Sequence, residues 1–336
     1  MEVLWEAAQG LGTLLGYGTV SRFEEGALGE EERGWSGCPV VRKQVLFTDG
    51  RRTSMIFKQA DLTERLAMER LTAQKQCSPA AFSPDLHSPE GRWMALEDLG
   101  TPPPALPDNP SWLLQVEQSL AALHRANLDQ GSEMLWLPRA DEAYWATVTT
   151  HLSLDHFVRK METCPAFQRE FGDYLPRLQR AASQFARDMT ALSQEKECLT
   201  LTHGDLQGRD GAHVYRCGGR PRLLDFGFCR YAPFYIDLAG WFSPEELLPY
   251  YLQQKERGFS LSYAGFQERA KAALRYNGFV YLFPSLMDWG EGPTEQTGRR
   301  LLQCIFLLLD GDFPEKRRHY SEALFHSLLA RHKKEA

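Results

Sequence analysis

Cysteine is used sparingly in this sequence and never in closely spaced pairs. The seven cysteines are spread between Cys38 and Cys304, and no two of them are separated by only two residues. Disulfide-rich domains and zinc sites both need cysteines grouped at short spacings. We therefore predict reduced thiols, and the pattern favours neither a disulfide framework nor a structural zinc site.

Long apolar runs are missing as well. The longest wholly aliphatic or aromatic run, from Ile305 to Leu309, is far shorter than the roughly 20 residues of a membrane span. The first residues, Met-Glu-Val-Leu-Trp-Glu, are acidic, whereas a secretory signal begins with positive charge followed by an apolar stretch. We expect a cytoplasmic protein with no membrane partner.

Positive charge is not concentrated anywhere. The formal net charge is −6, and the lysines and arginines are scattered apart from short clusters such as Arg317-Arg318. Because nucleic-acid binding usually requires a basic face, no nucleic-acid partner is expected. Hydrophobic residues make up 43% of the chain and charged residues 24%, the balance of an ordinary globular protein.

The first third of the sequence is typical of strands. Apolar and β-branched residues between Pro39 and Lys58 are interrupted by Thr48-Asp49-Gly50-Arg51, a strong signal for a hairpin turn. Residues 61–76 are helical in character, and Arg92 to Leu96 predict another strand. That strand runs into Glu97-Asp98-Leu99-Gly100 and then three prolines, which stop regular structure and indicate a hinge.

Beyond the hinge the sequence is mainly helical. Trp112, Val116, Leu120 and Leu123 recur at spacings that place them on one face of a helix. Further helices are predicted around 141–161 and 174–193, and over most of the chain from 243 onward. A chain of 336 residues is long for a single core, so we predict an α+β protein with two lobes, residues 1–98 and residues 99–336.

The candidate chemistry lies in an island between the helices, residues 199–239. Apolar residues from Leu199 lead into His203-Gly204-Asp205, and a second apolar stretch leads into Asp225-Phe226-Gly227. Phosphoryl transfer needs one carboxylate to accept the proton of the attacking hydroxyl and another to hold magnesium ions. Either triplet alone would as readily be a local turn, but together Asp205 and Asp225 suit those two tasks.

The island becomes specific when Tyr231-Ala232-Pro233, followed by Asp237-Leu238-Ala239, is added to the two triplets. In this order the motifs resemble the aminoglycoside phosphotransferase and choline kinase family. The resemblance implies a bilobal protein-kinase-like fold, with a small β-rich N-terminal lobe that binds the nucleotide and a larger, mainly helical C-terminal lobe. It also implies ATP or GTP and Mg²⁺. We expect a monomer or a weak homodimer.

The resemblance also assigns roles to individual residues. Asp205 would be the catalytic base, Asp225 a metal ligand, and Lys58 the strand lysine that contacts the α- and β-phosphates. Glu69 on the following helix would be the ion-pair partner of Lys58, with Glu64 as the less favoured choice. The backbone of the hinge at Glu97 and Leu99 would contact the edge of the nucleotide base. His124, in a segment that also resembles the family, is expected to be structural.

The sequence departs from the family where a metal-binding Asn is expected, five residues after the catalytic aspartate. Position 210 is Asp, and His213 would take the Asn position if three residues had been inserted. Magnesium prefers oxygen donors, so Asp210 is the predicted metal ligand and His213 remains the alternative. The phosphate-covering loop also lacks a clean Gly-x-Gly-x-x-Gly.

The acceptor is the least determined part of the prediction. Residues 276–312 are rich in aromatic and acidic residues, among them Tyr281 and Asp288. Such a wall would suit a cationic acceptor, but the aromatics would equally serve as core and the acids as a solvated face. We expect a hydroxylated small molecule, first an aminoglycoside-like antibiotic. A metabolic kinase of choline, a sugar or an amino alcohol, and a nucleotide-binding pseudokinase, are the alternatives.

Overall fold

The computed structural model describes residues 2–24, 32–33, 38–86, 92–100, 110–206, 213–243, 246–291 and 294–310. The strands within these ranges are β1 (Val20–Glu24), β2 (Glu32–Arg33), β3 (Pro39–Phe47), β4 (Arg52–Gln59), β5 (Ala81–Phe82), β6 (Trp93–Glu97), β7 (Leu199–Thr202), β8 (Val214–Cys217), β9 (Arg220–Leu223) and β10 (Arg230–Pro233). The α-helices are α1 (Glu2–Leu14), α2 (Leu62–Ala73), α3 (Pro110–Ala126), α4 (Glu142–Thr149), α5 (Asp155–Thr163), α6 (Pro165–Phe171), α7 (Leu175–Leu192), α8 (Tyr235–Leu238), α9 (Leu248–Lys255), α10 (Tyr263–Ala273), α11 (Arg275–Glu291) and α12 (Glu295–Asp310).

The N-terminal part is built on an antiparallel sheet. Its strands lie in the order β1-β3-β4-β6-β5, and β2 pairs with the outer part of β3. The predicted hairpin joins β3 to β4. Gly50 adopts φ 81°, and the Asp49 carboxylate accepts the amide of Arg51 at 2.9 Å. A glycine tolerates that conformation without a Cβ clash, so the Asp-Gly pair fixes the turn and the register of the hairpin.

Helix α1, which the sequence analysis did not predict, covers this sheet. Ala7, Ala8 and Leu11 are fully buried and join a core formed with sheet residues such as Phe47 and Phe57. Small residues on α1 allow the helix to approach the strands closely. Because β4 is central in the sheet, Lys58 near its end is held in register by Val40 on one side and Met94 on the other.

A second, larger core holds the helical part together. It runs from α3 through α7 to α11 and α12, and it also takes in Ala67, Met68 and Leu71 of α2. Arg70 strengthens this connection, since its guanidinium donates to the Asn127 side chain at 2.6 Å. Helix α2 lies between β4 and β5 in sequence, and it contacts both β5 and the turn Phe226–Phe228 of the island.

The island appears as two small antiparallel ribbons inserted among the helices. Strand β7 pairs with β10, and β8 pairs with β9. Asp225, just after β9, contacts Lys58 of the sheet. Among the helices within the described ranges, none is long and apolar enough to cross a membrane.

Candidate active site

The turn that follows β7 is held in place by a buried carboxylate. Asp237 of α8 accepts the backbone amides of His203 at 2.7 Å and Gly204 at 2.8 Å, and it also contacts His124 Nε2 at 2.9 Å. Asp237 and His124 are essentially inaccessible to solvent. A buried polar group lowers stability unless it is hydrogen-bonded, so these paired groups hold one another in position. His124 is therefore a buried residue that contacts Asp237, in keeping with the structural role expected from the sequence.

Gly204 is required by the shape of this turn. It adopts φ 77°, and a Cβ at this position would lie 2.6 Å from the carbonyl oxygen of Phe228. Any other residue would therefore strain the backbone and displace the neighbouring chain. His203 links the same turn to the second ribbon, because its Nε2 donates to the Leu224 carbonyl at 2.6 Å. Burial lowers the pKa of His203 to about 4, which keeps this ring neutral.

Asp205 projects from the end of the turn into a sheltered position. Its side chain is 15% exposed, and its Oδ1 accepts a hydrogen bond from the phenol of Tyr281 on α11. Burial raises the pKa of the Asp205 carboxyl above its ordinary value, while the hydrogen bond from Tyr281 acts in the opposite direction. A carboxylate that accepts a hydrogen bond from a hydroxyl group has the geometry that a general base needs.

Asp225 occupies the corresponding position after β9. It adopts the left-handed conformation with φ 63°, which is costly for a residue other than glycine and is typical of functional sites. Lys58 Nζ lies 2.6 Å from Asp225 Oδ1 and 2.7 Å from Glu64 Oε1. The distant Lys58 and Asp225 of the sequence analysis are thus brought into direct contact.

The charges in this cluster depend on one another. Burial alone would raise the pKa of Asp225, but Lys58 brings it below its ordinary value. The pKa of Lys58 is raised, because the attraction of Glu64 and Asp225 exceeds the opposing effect of burial. Burial raises the pKa of Glu64 to about 7 despite the neighbouring ammonium.

The expectation that Glu69 pairs with Lys58 is wrong. The partner is Glu64, which is 5% exposed, whereas Glu69 lies on the solvent side of α2. Asp61 caps the helix by accepting the amide of Glu64, so the first helical turn faces Lys58. Five residues later, at about 100° per residue, a side chain points roughly 140° away from that direction.

The hinge residues lie at the end of β6, as expected. The amide of Glu97 already donates to the carbonyl of Ala80 at 2.9 Å, and Asp98 pairs with Arg42 at 3.0 Å. Any contact of Glu97 with a nucleotide base would therefore come from its carbonyl. The assignment of Glu97 and Leu99 to base binding stays a prediction.

The metal ligand predicted at Asp210 lies outside the described residues. His213, the alternative, lies directly between the two aspartates. Its Nδ1 is 2.6 Å from the carbonyl oxygen of Asp205, and its Nε2 is 3.7 Å from Asp225 Oδ2. Over the described part of the chain, no group of three or more His, Cys, Asp or Glu side chains is arranged to hold a metal ion.

Two tyrosines of α11 complete the site, and the sequence analysis gave neither a catalytic role. Tyr281 contacts Asp205, and Tyr276 donates to the carbonyl of Gly204 at 2.9 Å. No local motif identifies these tyrosines. The only signal in the sequence is that both lie in the aromatic and acidic stretch 276–312. Within that stretch Tyr276 and Trp289 are core residues, and Asp288 is paired with Arg300 at 3.2 Å. These contacts favour the core-and-solvated-face interpretation of that stretch.

Comparison with known proteins finds solved structures that resemble this chain but no relative by sequence. A scan of protein-family models finds no match, and a search of curated proteins by sequence finds none either. Spectinomycin phosphotransferase, solved with ADP and spectinomycin, matches with a TM-score of 0.51 at 12% identity, over 94% of this chain and 94% of its own. The ethanolamine kinase of Plasmodium vivax gives 0.48 at 11% identity, over 85% of this chain and 82% of its own. A macrolide 2'-phosphotransferase from Brachybacterium faecium gives 0.46 at 15% identity, over 93% and 99% respectively.

At identities this low, the structural match establishes a shared fold and nothing more specific. The chain has the protein-kinase-like fold of spectinomycin phosphotransferase, with an antiparallel sheet before the hinge and a mainly helical part after it. The fold class predicted from the motifs of the island is confirmed. The division at residue 98 and the roles of the individual site residues stay predictions.

Proposed function

We propose that this protein transfers the γ-phosphoryl group of a nucleoside triphosphate to a hydroxyl group of a small molecule. The observation that carries the proposal is the hydrogen bond from the Tyr281 phenol to Asp205. This contact supports the proposal because the Asp205 carboxylate accepts a hydrogen bond from a hydroxyl group, as it would from the hydroxyl of an acceptor. Lys58 and Asp225, which are in contact with each other, would supply the phosphate-binding half of the site.

Each residue has a task in this reaction. Lys58, held by Glu64, would bind the phosphates of the nucleotide and orient them. Asp205 would accept the proton of the acceptor hydroxyl as its oxygen bonds to the γ-phosphorus and the bond to the β-phosphate oxygen breaks. Asp225, kept ionised beside Lys58, would hold Mg²⁺. When bound, that ion supplies positive charge against the phosphate oxygens.

The acceptor class proposed first is an aminoglycoside-like antibiotic. Spectinomycin phosphotransferase, whose complex contains spectinomycin, is the neighbour with the strongest structural match given above. The acids of 276–312 give this choice little support, since Asp288 is paired with Arg300. A metabolic acceptor such as choline, a sugar or an amino alcohol is therefore tested in parallel, with ATP and GTP as donors. Oligomeric state and localisation stay predictions from the sequence.

The proposal is tested by steady-state turnover of ATP and GTP with Mg²⁺ against a panel of aminoglycosides, choline, sugars and amino alcohols. The matched pair of variants is Asp205→Asn in the site and Asp173→Asn, an exposed carboxylate elsewhere. Acceptor-stimulated turnover that is lost only in Asp205→Asn supports the proposal and names the acceptor. Tight nucleotide binding with no turnover for any acceptor would overturn it in favour of a pseudokinase.

A further inference from the structure

A cavity of about 220 Å³ lies apart from the candidate active site, at the opposite end of β7 from Asp205. Its walls are formed by residues 195–198, Tyr235, residues 259–261 and Arg269. The four residues of β7 span about 13 Å at roughly 3.3 Å per residue, so the two places are well separated. Sites for drug-sized ligands have volumes of roughly 300–1,000 Å³. This cavity therefore suits a molecule smaller than a nucleotide.

Tyr235 directs a buried hydroxyl group into this cavity. Its side chain is fully buried, and among the described residues its hydroxyl has no hydrogen-bond partner. The ring packs on Phe266 at a centroid distance of 5.3 Å. The groups whose charges affect the pKa of the phenol belong to Cys198, Arg269 and Glu195, and all three line the cavity. A buried hydroxyl without a partner is destabilising, so a ligand that pairs with it is bound favourably.

Two carboxylates line the same cavity. Glu195 Oε2 accepts Arg269 Nε at 2.6 Å, and Glu197 Oε2 accepts the amide and the hydroxyl of Ser260 at 2.9 and 2.7 Å. Each carboxylate uses one oxygen in these contacts with described residues, so its other oxygen can accept a hydrogen bond from a ligand. The bonds from Ser260 lower the pKa of Glu197, and this side chain is therefore ionised. Glu197 also adopts φ 61°, a costly conformation that is typical of functional sites.

The walls of the cavity indicate which kind of ligand fits. Their charges balance, because the two carboxylates are matched by Arg269 and Lys196. A ligand with a net charge gains no net attraction here and loses its hydration. Hydroxyl groups suit the walls better, since a hydroxyl can donate to a carboxylate and accept from a phenol. Phe259, which is 8% exposed, and Leu261 provide an apolar surface for the C–H groups of a ring.

We propose that this cavity binds a small, uncharged, polyhydroxylated molecule about the size of one sugar ring, with its hydroxyl groups on the Tyr235 phenol and the Glu197 carboxylate. The site is separate from that of the acceptor and does not depend on the proposed transfer reaction. It is connected to the catalytic turn through α8. Tyr235 lies two residues before Asp237, whose carboxylate accepts the amides of His203 and Gly204. The same short helix thus contacts the ligand and holds the turn that precedes Asp205.

The test is NMR of the whole chain labelled with ¹³C-tyrosine and titrated with D-glucose, D-ribose and myo-inositol. The signals of Tyr235 and Tyr281 are assigned by their loss in Tyr235→Phe and Tyr281→Phe. At least one compound is expected to move the Tyr235 signal saturably, and D-glucuronate, a charged sugar of similar size, should bind at least tenfold more weakly. Glu197→Gln should weaken the binding about tenfold, because it replaces an ionised acceptor by a neutral amide. Glu162→Gln, at an exposed carboxylate elsewhere, is the matched control and leaves the binding unchanged.

Three results would overturn the inference. A Tyr235 signal that stays in place with all three compounds would mean that the cavity holds water only. Movement of the Tyr281 signal alone, or a Tyr235 shift that is lost in Asp205→Asn, would place the ligand at the proposed active site and leave the proposed function intact. D-glucuronate that binds as tightly as the uncharged compounds would contradict the ligand class. A Tyr235 shift that persists in Asp205→Asn supports the inference, whether or not the chain transfers phosphate.

Discussion

Asp205 and Asp225 end neighbouring ribbons of the same short island, yet their surroundings make them different acids. Asp205 is 15% exposed and accepts a hydrogen bond from the Tyr281 hydroxyl, and burial raises its pKa. Asp225 is 48% exposed and contacts an ammonium group, and that contact lowers its pKa. Surroundings that shift the pKa values of two carboxylates in opposite directions are typical of sites where one carboxylate accepts a proton and the other stays ionised. The difference is set by the burial of Asp205 and by Lys58, a residue far away in sequence from Asp225, and not by the two triplets themselves.

The largest expected effect comes from removing each carboxylate charge separately. Asp205→Asn keeps the shape but removes the base, so kcat falls by about 10²- to 10⁴-fold while nucleotide affinity changes little. Asp225→Asn removes the negative charge that balances Lys58, and it weakens binding of the metal–nucleotide complex as well as turnover. Steady-state kinetics combined with calorimetric titration of Mg²⁺·ADP separates the two. Equal losses of nucleotide affinity in both variants would contradict the division of roles.

The next prediction concerns Glu64, whose pKa rises from 4.5 to about 7 in the folded protein. Since the folded state binds this proton more tightly than the unfolded state, the associated stability is complete below pH 4.5 and is lost as the pH rises through 7. At about 1.4 kcal/mol per pKa unit, the wild type loses up to about 3 kcal/mol relative to Glu64→Gln between pH 5 and 8. Urea unfolding of both proteins at several pH values measures the difference. Parallel pH dependences would show that Glu64 is ionised throughout.

A smaller effect distinguishes the two glutamates of α2. Glu64→Gln leaves Lys58 with a single anionic partner and is expected to lower kcat/KM for the nucleotide about tenfold, near the 1.5–3 kcal/mol of a hydrogen bond to a charged group. Glu69→Gln, on the exposed side of the same helix, should change it less than twofold. This pair checks the correction of the ion-pair partner against the original expectation. Loss of activity in Glu69→Gln alone would restore Glu69 as the ion-pair partner of Lys58.

The sequence predicted those parts of the fold and site that depend on neighbouring residues. The β3–β4 hairpin follows from Asp49-Gly50, and the fold class follows from the motifs of the island. Contacts that depend on helix rotation were predicted less well. Glu69 was preferred over Glu64 because the position of the helix cap at Asp61, which sets the direction of every later side chain, was not used.

Contacts between distant segments carry still less local signal. Helix α1 was not predicted, although Leu4, Ala7, Ala8 and Leu11 recur at helical spacing and face the core. Tyr281 lies on a helix whose position is fixed only by the packing of α11 against α12 and the core. Its contact with Asp205 depends on that packing, and no spacing within the island encodes it.

The smallest predicted effect tests how the acceptor reaches Asp205. The Tyr281 phenol stabilises the ionised Asp205, so Tyr281→Phe raises the pKa of this carboxyl in the free enzyme. The acidic limb of kcat/KM then moves up by about one pH unit, since a hydrogen bond to a charged group is worth about 1.5–3 kcal/mol. Because the acceptor hydroxyl takes the place of the phenol in the substrate complex, the acidic limb of kcat should not move. Tyr263→Phe, in α10, is the matched control and leaves both profiles unchanged. If both limbs shift together in Tyr281→Phe, the phenol remains on Asp205 during turnover and the acceptor uses the other carboxylate oxygen.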